Sequence, residues 1–318
     1  MNAFLHAYSR AHHGHRFSLL ETKAQLGGLG KSLGVCQTWS MAGFEHYIRT
    51  GLAVGALVWL TQTAIAQDVT VDLELVLAVD VSLSMDIDEQ RLQRDGYAGA
   101  FRHRDVIDAI KLGGWGKIAV TYVEWAGQGL QRVVVPWTVV DGAQTASAFA
   151  SKLGQAEPAH MFRTSISDGV LFASKLFDNN GFKGLRRVID VSGDGPNNQG
   201  IGVTSARDEV VAKRITINGL PIMLKRSSRF GFFDLPNLDQ YYEDCVIGGF
   251  GAFIISVRDK KEFAQAIRRK LVLEIAGAQP RVIKAQAKPG DKLLKRPRVD
   301  CFIGEKLWQR WRSNRDDF

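Results

Sequence analysis

From Val71 onward, short runs of β-branched and apolar residues alternate with longer stretches in which apolar positions recur every three or four residues. That alternation predicts strands interleaved with helices, the pattern of an α/β domain with a mainly parallel sheet. The first strand is expected over residues 72–80, followed by one helix over 88–110 with acidic residues at its start. Two further runs, 117–125 and 131–137, flank Ala126-Gly127-Gln128-Gly129, which reads as a hairpin turn. Helices are expected over 143–153, 167–177 and 205–214, with buried strands over 186–191 and 215–223. A helical turn at 239–246 should feed a last strand at 252–257. Phe263, Ile267, Leu271 and Ile275 then share one face of a closing helix over 259–275. Beyond Gly277, three prolines among many Lys and Arg residues predict a loosely ordered, flexible basic tail over 277–318.

Upstream of the domain the pattern changes. Arg49 precedes the apolar segment of residues 51–60, and Ala64-Ile65-Ala66 offers small residues before a cut at Gln67. Basic flank, short apolar core and small-residue site together describe a secretory signal peptide over 41–66. An apolar core this short falls well below the ~20 residues that span a bilayer. The expectation is therefore an exported protein, periplasmic or extracellular. The alternative is an inner-membrane protein held by residues 51–66. Met41 is the expected start, which makes residues 1–40 a non-native or disordered extension. That extension holds His6, His12, His13 and His15 without metal-site spacing, and a Gly30-Lys31-Ser32 run whose phosphate-loop pattern fails because Gln25 stands where glycine is required.

Charge narrows the partners. The formal net charge is +8, but residues 67–276 carry 25 basic against 26 acidic side chains, so the excess sits in the two ends. A nearly neutral body is not the footprint of a nucleic-acid binder, and membrane contact is left to the signal segment or, weakly, to the basic tail. Of the cysteines, Cys36 precedes the expected cleavage site. Export would permit Cys245 and Cys301 to pair; otherwise Cys245 is a small buried side chain and Cys301 a free thiol.

The chemistry concentrates where the first strand ends, at Asp80-Val81-Ser82-Leu83-Ser84. One carboxylate and two hydroxyls delivered to a sheet edge are hard oxygen donors of the kind Mg²⁺ or Ca²⁺ prefers. Thr164, ahead of a helix, and Asp194, just after the strand over 186–191, offer two more oxygens. In a doubly wound sheet such strand ends meet where ligands bind. Asp80, Ser82, Ser84, Thr164 and Asp194 are thus the candidate metal ligands. Asp190 is expected behind them as a supporting acceptor, with Asn197-Asn198 either at the rim or in a plain turn. Asp86 and Asp88 either add acidity or compensate a helix start. His103 and His160 are too few and too far apart for zinc.

In that order, Asp80-x-Ser82-x-Ser84, Thr164 and Asp194 resemble the metal-ion-dependent adhesion site of von Willebrand factor A domains. The runs Val188–Asn198, Ile217–Pro221 and Val246–Phe253 carry a closer resemblance to exported bacterial proteins of uncharacterised function with that fold. The resemblance covers about residues 70–276 and implies a sheet between helices, with Mg²⁺ as the usual ion and Mn²⁺ or Ca²⁺ as alternatives. It implies no reaction, and the first reading is a binding module whose open metal position accepts a carboxylate from a protein partner. Phe162-Arg163 depart from the glycines usual before the threonine, and Gly193 replaces the threonine of the usual Thr-Asp-Gly. Arg163 could place a guanidinium where the cation would sit. The competing readings are a metal-dependent hydrolase and a metal-free scaffold with a vestigial site, in which Asp80 is a helix N-cap or a buried hydrogen-bond acceptor and Ser82 and Ser84 satisfy turn backbone.

Overall fold

The computed structural model describes residues 67–157, 159–224, 235–277 and 296–316. The expected extension, signal segment and proximal part of the tail lie outside the described residues. Among the described residues, no helix is long and apolar enough to cross a membrane.

Five strands form one sheet: β1 (Val69–Asp80), β2 (Ile118–Trp125), β3 (Gln131–Val140), β4 (Phe182–Gly193) and β5 (Thr216–Pro221), in the order β3-β2-β1-β4-β5. All neighbours are parallel except the β2–β3 hairpin. The central strand β1 is buried along nearly its whole length, as its unbroken apolar run requires in a sheet covered on both faces.

The helices are α1 (Ile87–Arg102), α2 (Arg104–Lys111), α3 (Ala143–Gln155), α4 (Ile166–Lys175), α5 (Val203–Ala212), α6 (Leu238–Tyr241), α7 (Phe263–Ala276) and α8 (Ile303–Asp316). Leu73, Leu75 and Leu77 of β1 pack with α1, α2, α3 and α7 on one face. Val76 and Ala78 face the other way, toward α4, α5 and the Tyr241–Val246 segment. Odd and even positions of a single strand therefore serve two separate cores. β1 and β4 lie side by side although their chain connections run to opposite ends of the sheet, so their carboxyl ends mark its switch point.

Three local expectations are corrected. The first helix breaks at His103, whose extended backbone ends α1 while its ring accepts the Asp105 amide at 3.2 Å and starts α2. The expected last strand at 252–257 is an irregular edge touching β5 through the isolated bridges Gly219–Ile254 and Ile222–Val257. The third concerns the tail, because residues 296–316 pack onto the domain. Cys301 is disulfide-bonded to Cys245, Arg296 pairs with Glu243 and Asp244 at 2.7 Å each, and the Val299 amide donates to Asp244 at 2.9 Å. The run of Lys and Arg hid these fasteners, because the acidic partners lie more than 50 residues upstream.

Candidate metal site and aromatic pocket

Asp80 closes β1 and is fully buried. Its Oδ1 accepts the Ser82 amide at 2.7 Å, bending the chain so that Ser82 and Ser84 point the same way. The Ser82 and Ser84 hydroxyls are 2.9 Å apart, and Ser84 Oγ donates to Asp194 Oδ1 at 2.6 Å. Four of the five candidate ligands are thus linked across the ends of β1 and β4. The fifth, Thr164, lines the same cavity of about 300 Å³ as Ser82, Ser84 and Asp194.

Thr164 arrives there because the chain changes sides. α3 packs on one face of the sheet and α4 on the other, so the segment between them must pass over the carboxyl edge. Backbone bonds fasten it in transit: Met161 N–H to Val81 at 3.0 Å, and Ser165 N–H to Ala126 at 2.8 Å. Its start is anchored by Glu124, which is buried and paired with both Arg94 and Arg132. Those arginines also donate to the carbonyls of Ala156 and Glu157.

Asn198 completes the loop's position, its side chain accepting the Thr164 amide at 3.1 Å and its own amide donating to the Thr164 carbonyl at 2.9 Å. Asn197 accepts the Ser167 amide at 3.0 Å and donates to Glu305 on α8 at 2.8 Å. The Asn197-Asn198 pair is therefore a clamp between loops, a role that a plain Asn-Asn turn gives no sign of in sequence.

Electrostatically the site is under-neutralised. Burial, and then the charge of Asp194, push the Asp80 carboxyl up to about 8. Hydrogen bonds from Ser82 and the Asp194 backbone offset part of this, and the second oxygen, Oδ2, is buried without a close partner among the described residues. A buried carboxylate linked to a second carboxylate through two serine hydroxyls, with Thr164 on the same cavity as that second carboxylate, is a donor set that suits a small hard cation. Among the described residues, no group of three or more His, Cys, Asp or Glu side chains is placed to hold a metal. Hydroxyl donors would have to supply the remainder.

The two departures in the motif acquire physical reasons. A side chain at Gly193 would begin 2.8 Å from Asp80 Oδ2 and 3.0 Å from the Tyr242 hydroxyl, so tyrosine occupies the space a threonine would need. Arg163 adopts a φ of 72°, the left-handed conformation that glycine meets without strain. Its guanidinium donates to the Asn198 carbonyl at 3.0 Å and lies 3.5 Å above the Trp308 ring. It is engaged at the wall of the cavity. Asp190 is corrected as well: it bonds Tyr97 at 3.1 Å and Lys270 at 2.6 Å, on the α1 and α7 side of the sheet. Asp86 caps α1 in a reciprocal capping box with Glu89, which settles its role as helix-start chemistry.

Trp308 and Trp311 of α8 complete the cavity wall, their rings stacked with centroids 4.8 Å apart. Gly304 lets α8 press this close, since a side chain there would collide with the Asn197 carbonyl. A Gly-x-x-x-Trp-x-x-Trp spacing on a helix was the available signal.

The match that decides the family spans the whole sheet and all three loops. A family described as "Protein of unknown function (DUF1194)" matches residues 70–279. The chain belongs to the DUF1194 family. No protein of curated function matches it. In fold, this DUF1194 chain is similar to the pilus adhesin SpaC from Lactobacillus rhamnosus GG, with 12% identity and a TM-score of 0.46 over 66% of this chain and 31% of that one. It is similar to proximal thread matrix protein 1 from the mussel byssus, with 13% identity and a TM-score of 0.45 over 66% and 49% of the two chains. It is also similar to a von Willebrand factor type A protein from Catenulispora acidiphila, with 16% identity and a TM-score of 0.44 over 65% and 43%. α8 lies beyond the residues that the family match covers.

Proposed function

We propose that this DUF1194 protein is an exported protein-binding module whose contact is made through a divalent cation, Mg²⁺ by preference. The observation that carries the reading is Asp80: a buried carboxylate whose Oδ2 has no close partner among the described residues, linked through Ser82 and Ser84 to Asp194, with those three and Thr164 lining an open cavity. Asp80 and Asp194 would supply the charge, and Ser82, Ser84 and Thr164 neutral oxygens. When bound, the cation supplies a Lewis-acidic position for a partner's carboxylate. Because that contact is small, affinity has to come from the surface around it.

No reaction is part of the proposal. Ser84 and Asp194 form a hydroxyl–carboxylate pair, but among the described residues no histidine lines the cavity to act as base beside them. Export is supported by the Cys245–Cys301 disulfide, which persists in oxidising compartments. On this reading, mass spectrometry of the exported protein finds an N-terminus at Gln67, and recovery of Met1 refutes it.

The metal reading is tested by titrating the full-length protein with Mg²⁺, Mn²⁺ and Ca²⁺ and following thermal unfolding. At an ion concentration ~100 times the dissociation constant, stability should rise by about 2.7 kcal/mol. An identical response from wild type and Asp80→Asn would remove the proposal.

A further inference from the structure

The cavity is lined by two unlike sets of side chains. One is the polar cluster of Ser82, Ser84, Thr164 and Asp194, and the other includes Phe162, Trp308 and Trp311. A cation with one carboxylate on it would use only the polar set. We infer that the pocket reads a large apolar side chain adjacent to the partner's carboxylate, so that the ligand is a peptide segment pairing Asp or Glu with an aromatic or long aliphatic neighbour. The inference deepens the metal-dependent binding reading and rests on it.

Three features favour this occupant. The cavity of about 300 Å³ is at the small end of ligand sites, which run from roughly 300 to 1,000 Å³. That size suits one large side chain with its carboxylate neighbour, and is tight for a cofactor. The walls are then the residue types that dominate interface energetics, two indoles and a guanidinium, with Arg163 at 3.5 Å fixing the Trp308 ring and adding positive charge for an acidic ligand. Finally, Phe162 stands 71% exposed at the cavity, an apolar rim that a flat polar protein surface would leave in water.

The consequence is a division of labour along the chain. The loops at the ends of β1 and β4, inside the family-matched region, bind the charge. Helix α8, outside that region and fastened by the Cys245–Cys301 disulfide and the Asn197–Glu305 bond, selects the neighbour.

The test uses the full-length protein in MgCl₂ with two capped tripeptides, Phe-Asp-Phe and Ser-Asp-Ser, by calorimetry. The aromatic peptide should bind at least about tenfold more tightly. Trp308→Ala and Phe162→Ser should each erase most of that preference while leaving the Mg²⁺ isotherm unchanged. Phe162→Ser alters an exposed side chain, so it keeps the test valid should Trp308→Ala loosen α8. Equal affinities, a preference that survives both variants, or no binding of either peptide at millimolar concentration overturns the inference. Failure of Mg²⁺ itself to bind identifies the cation reading as the fault. The same peptide comparison in chelator then decides the pocket by itself, preference for the aromatic peptide supporting it and no preference refuting it.

Discussion

Replacing Asp80 by asparagine should make the metal-free protein more stable, and saturating metal should close most of that gap. In the fold the carboxyl is raised from 3.8 to about 8, first by burial and then by Asp194. A native state with the higher value holds its proton where the unfolded chain has released it, so stability is full below pH ~4 and declines as pH climbs toward 8. At about 1.4 kcal/mol per pH unit, the penalty at pH 7 is on the order of 4 kcal/mol. Asparagine keeps the shape and can still accept the Ser82 amide, but carries no charge to desolvate. In chelator at pH 7, Asp80→Asn should therefore unfold at higher urea by a few kcal/mol of stability, and its unfolding midpoint should lose most of the decline between pH 4 and 8. Mg²⁺ at ~100 times the dissociation constant should close about 2.7 kcal/mol of that gap, since only the wild type supplies the Asp80 carboxylate that the ion neutralises. The assay is urea unfolding at several pH values, with and without the ion. An asparagine variant that is less stable in chelator would refute the claim that burial of this charge outweighs the hydrogen bonds it receives.

Other sites give independent checks. Gly193→Thr drives a side chain into Asp80 and the Tyr242 hydroxyl, and should cost about 1–3 kcal/mol in thermal unfolding. Lys270→Met leaves Asp190 and Glu274 buried without their shared cation, and the expected loss is about 3–5 kcal/mol. Because burial and Asp190 already raise Glu274 to about 7, the variant's deficit should shrink as pH falls and that carboxyl is protonated. Reduction of the Cys245–Cys301 disulfide, which closes a loop with a sequence separation of 56, should lower stability by up to about 4 kcal/mol in denaturant titrations with and without dithiothreitol. An unchanged midpoint would show that the remaining contacts of residues 296–316 hold α8 without it.

The order of strands and helices was legible because each element's apolar period is local. β1 announces itself by an unbroken apolar run, and α7 by Phe263, Ile267, Leu271 and Ile275. The break at His103 was not legible, since it depends on one side chain accepting an amide two residues on. Neither was the failure of residues 252–257 to form a strand, which is decided by how β5 presents its edge. At the site, Asp80-x-Ser82-x-Ser84 could be picked out because its donors stand within five residues. Asn197, Asn198 and Tyr242 could not. They act through partners between 30 and 108 residues away or, for Tyr242, through shared volume with Gly193.

The sequence by itself therefore determined the α/β alternation, the sheet-edge positions of the acidic and hydroxyl residues, and the near neutrality of the body. Those follow from local periodicity and counting. Only the tertiary structure decided that β1 and β4 are neighbours, that the α3–α4 segment crosses the sheet edge to deliver Thr164, and that α8 walls the cavity with two indoles. Each of these depends on contacts between residues far apart in the chain, whose closure becomes favourable only when whole faces of the sheet are buried together.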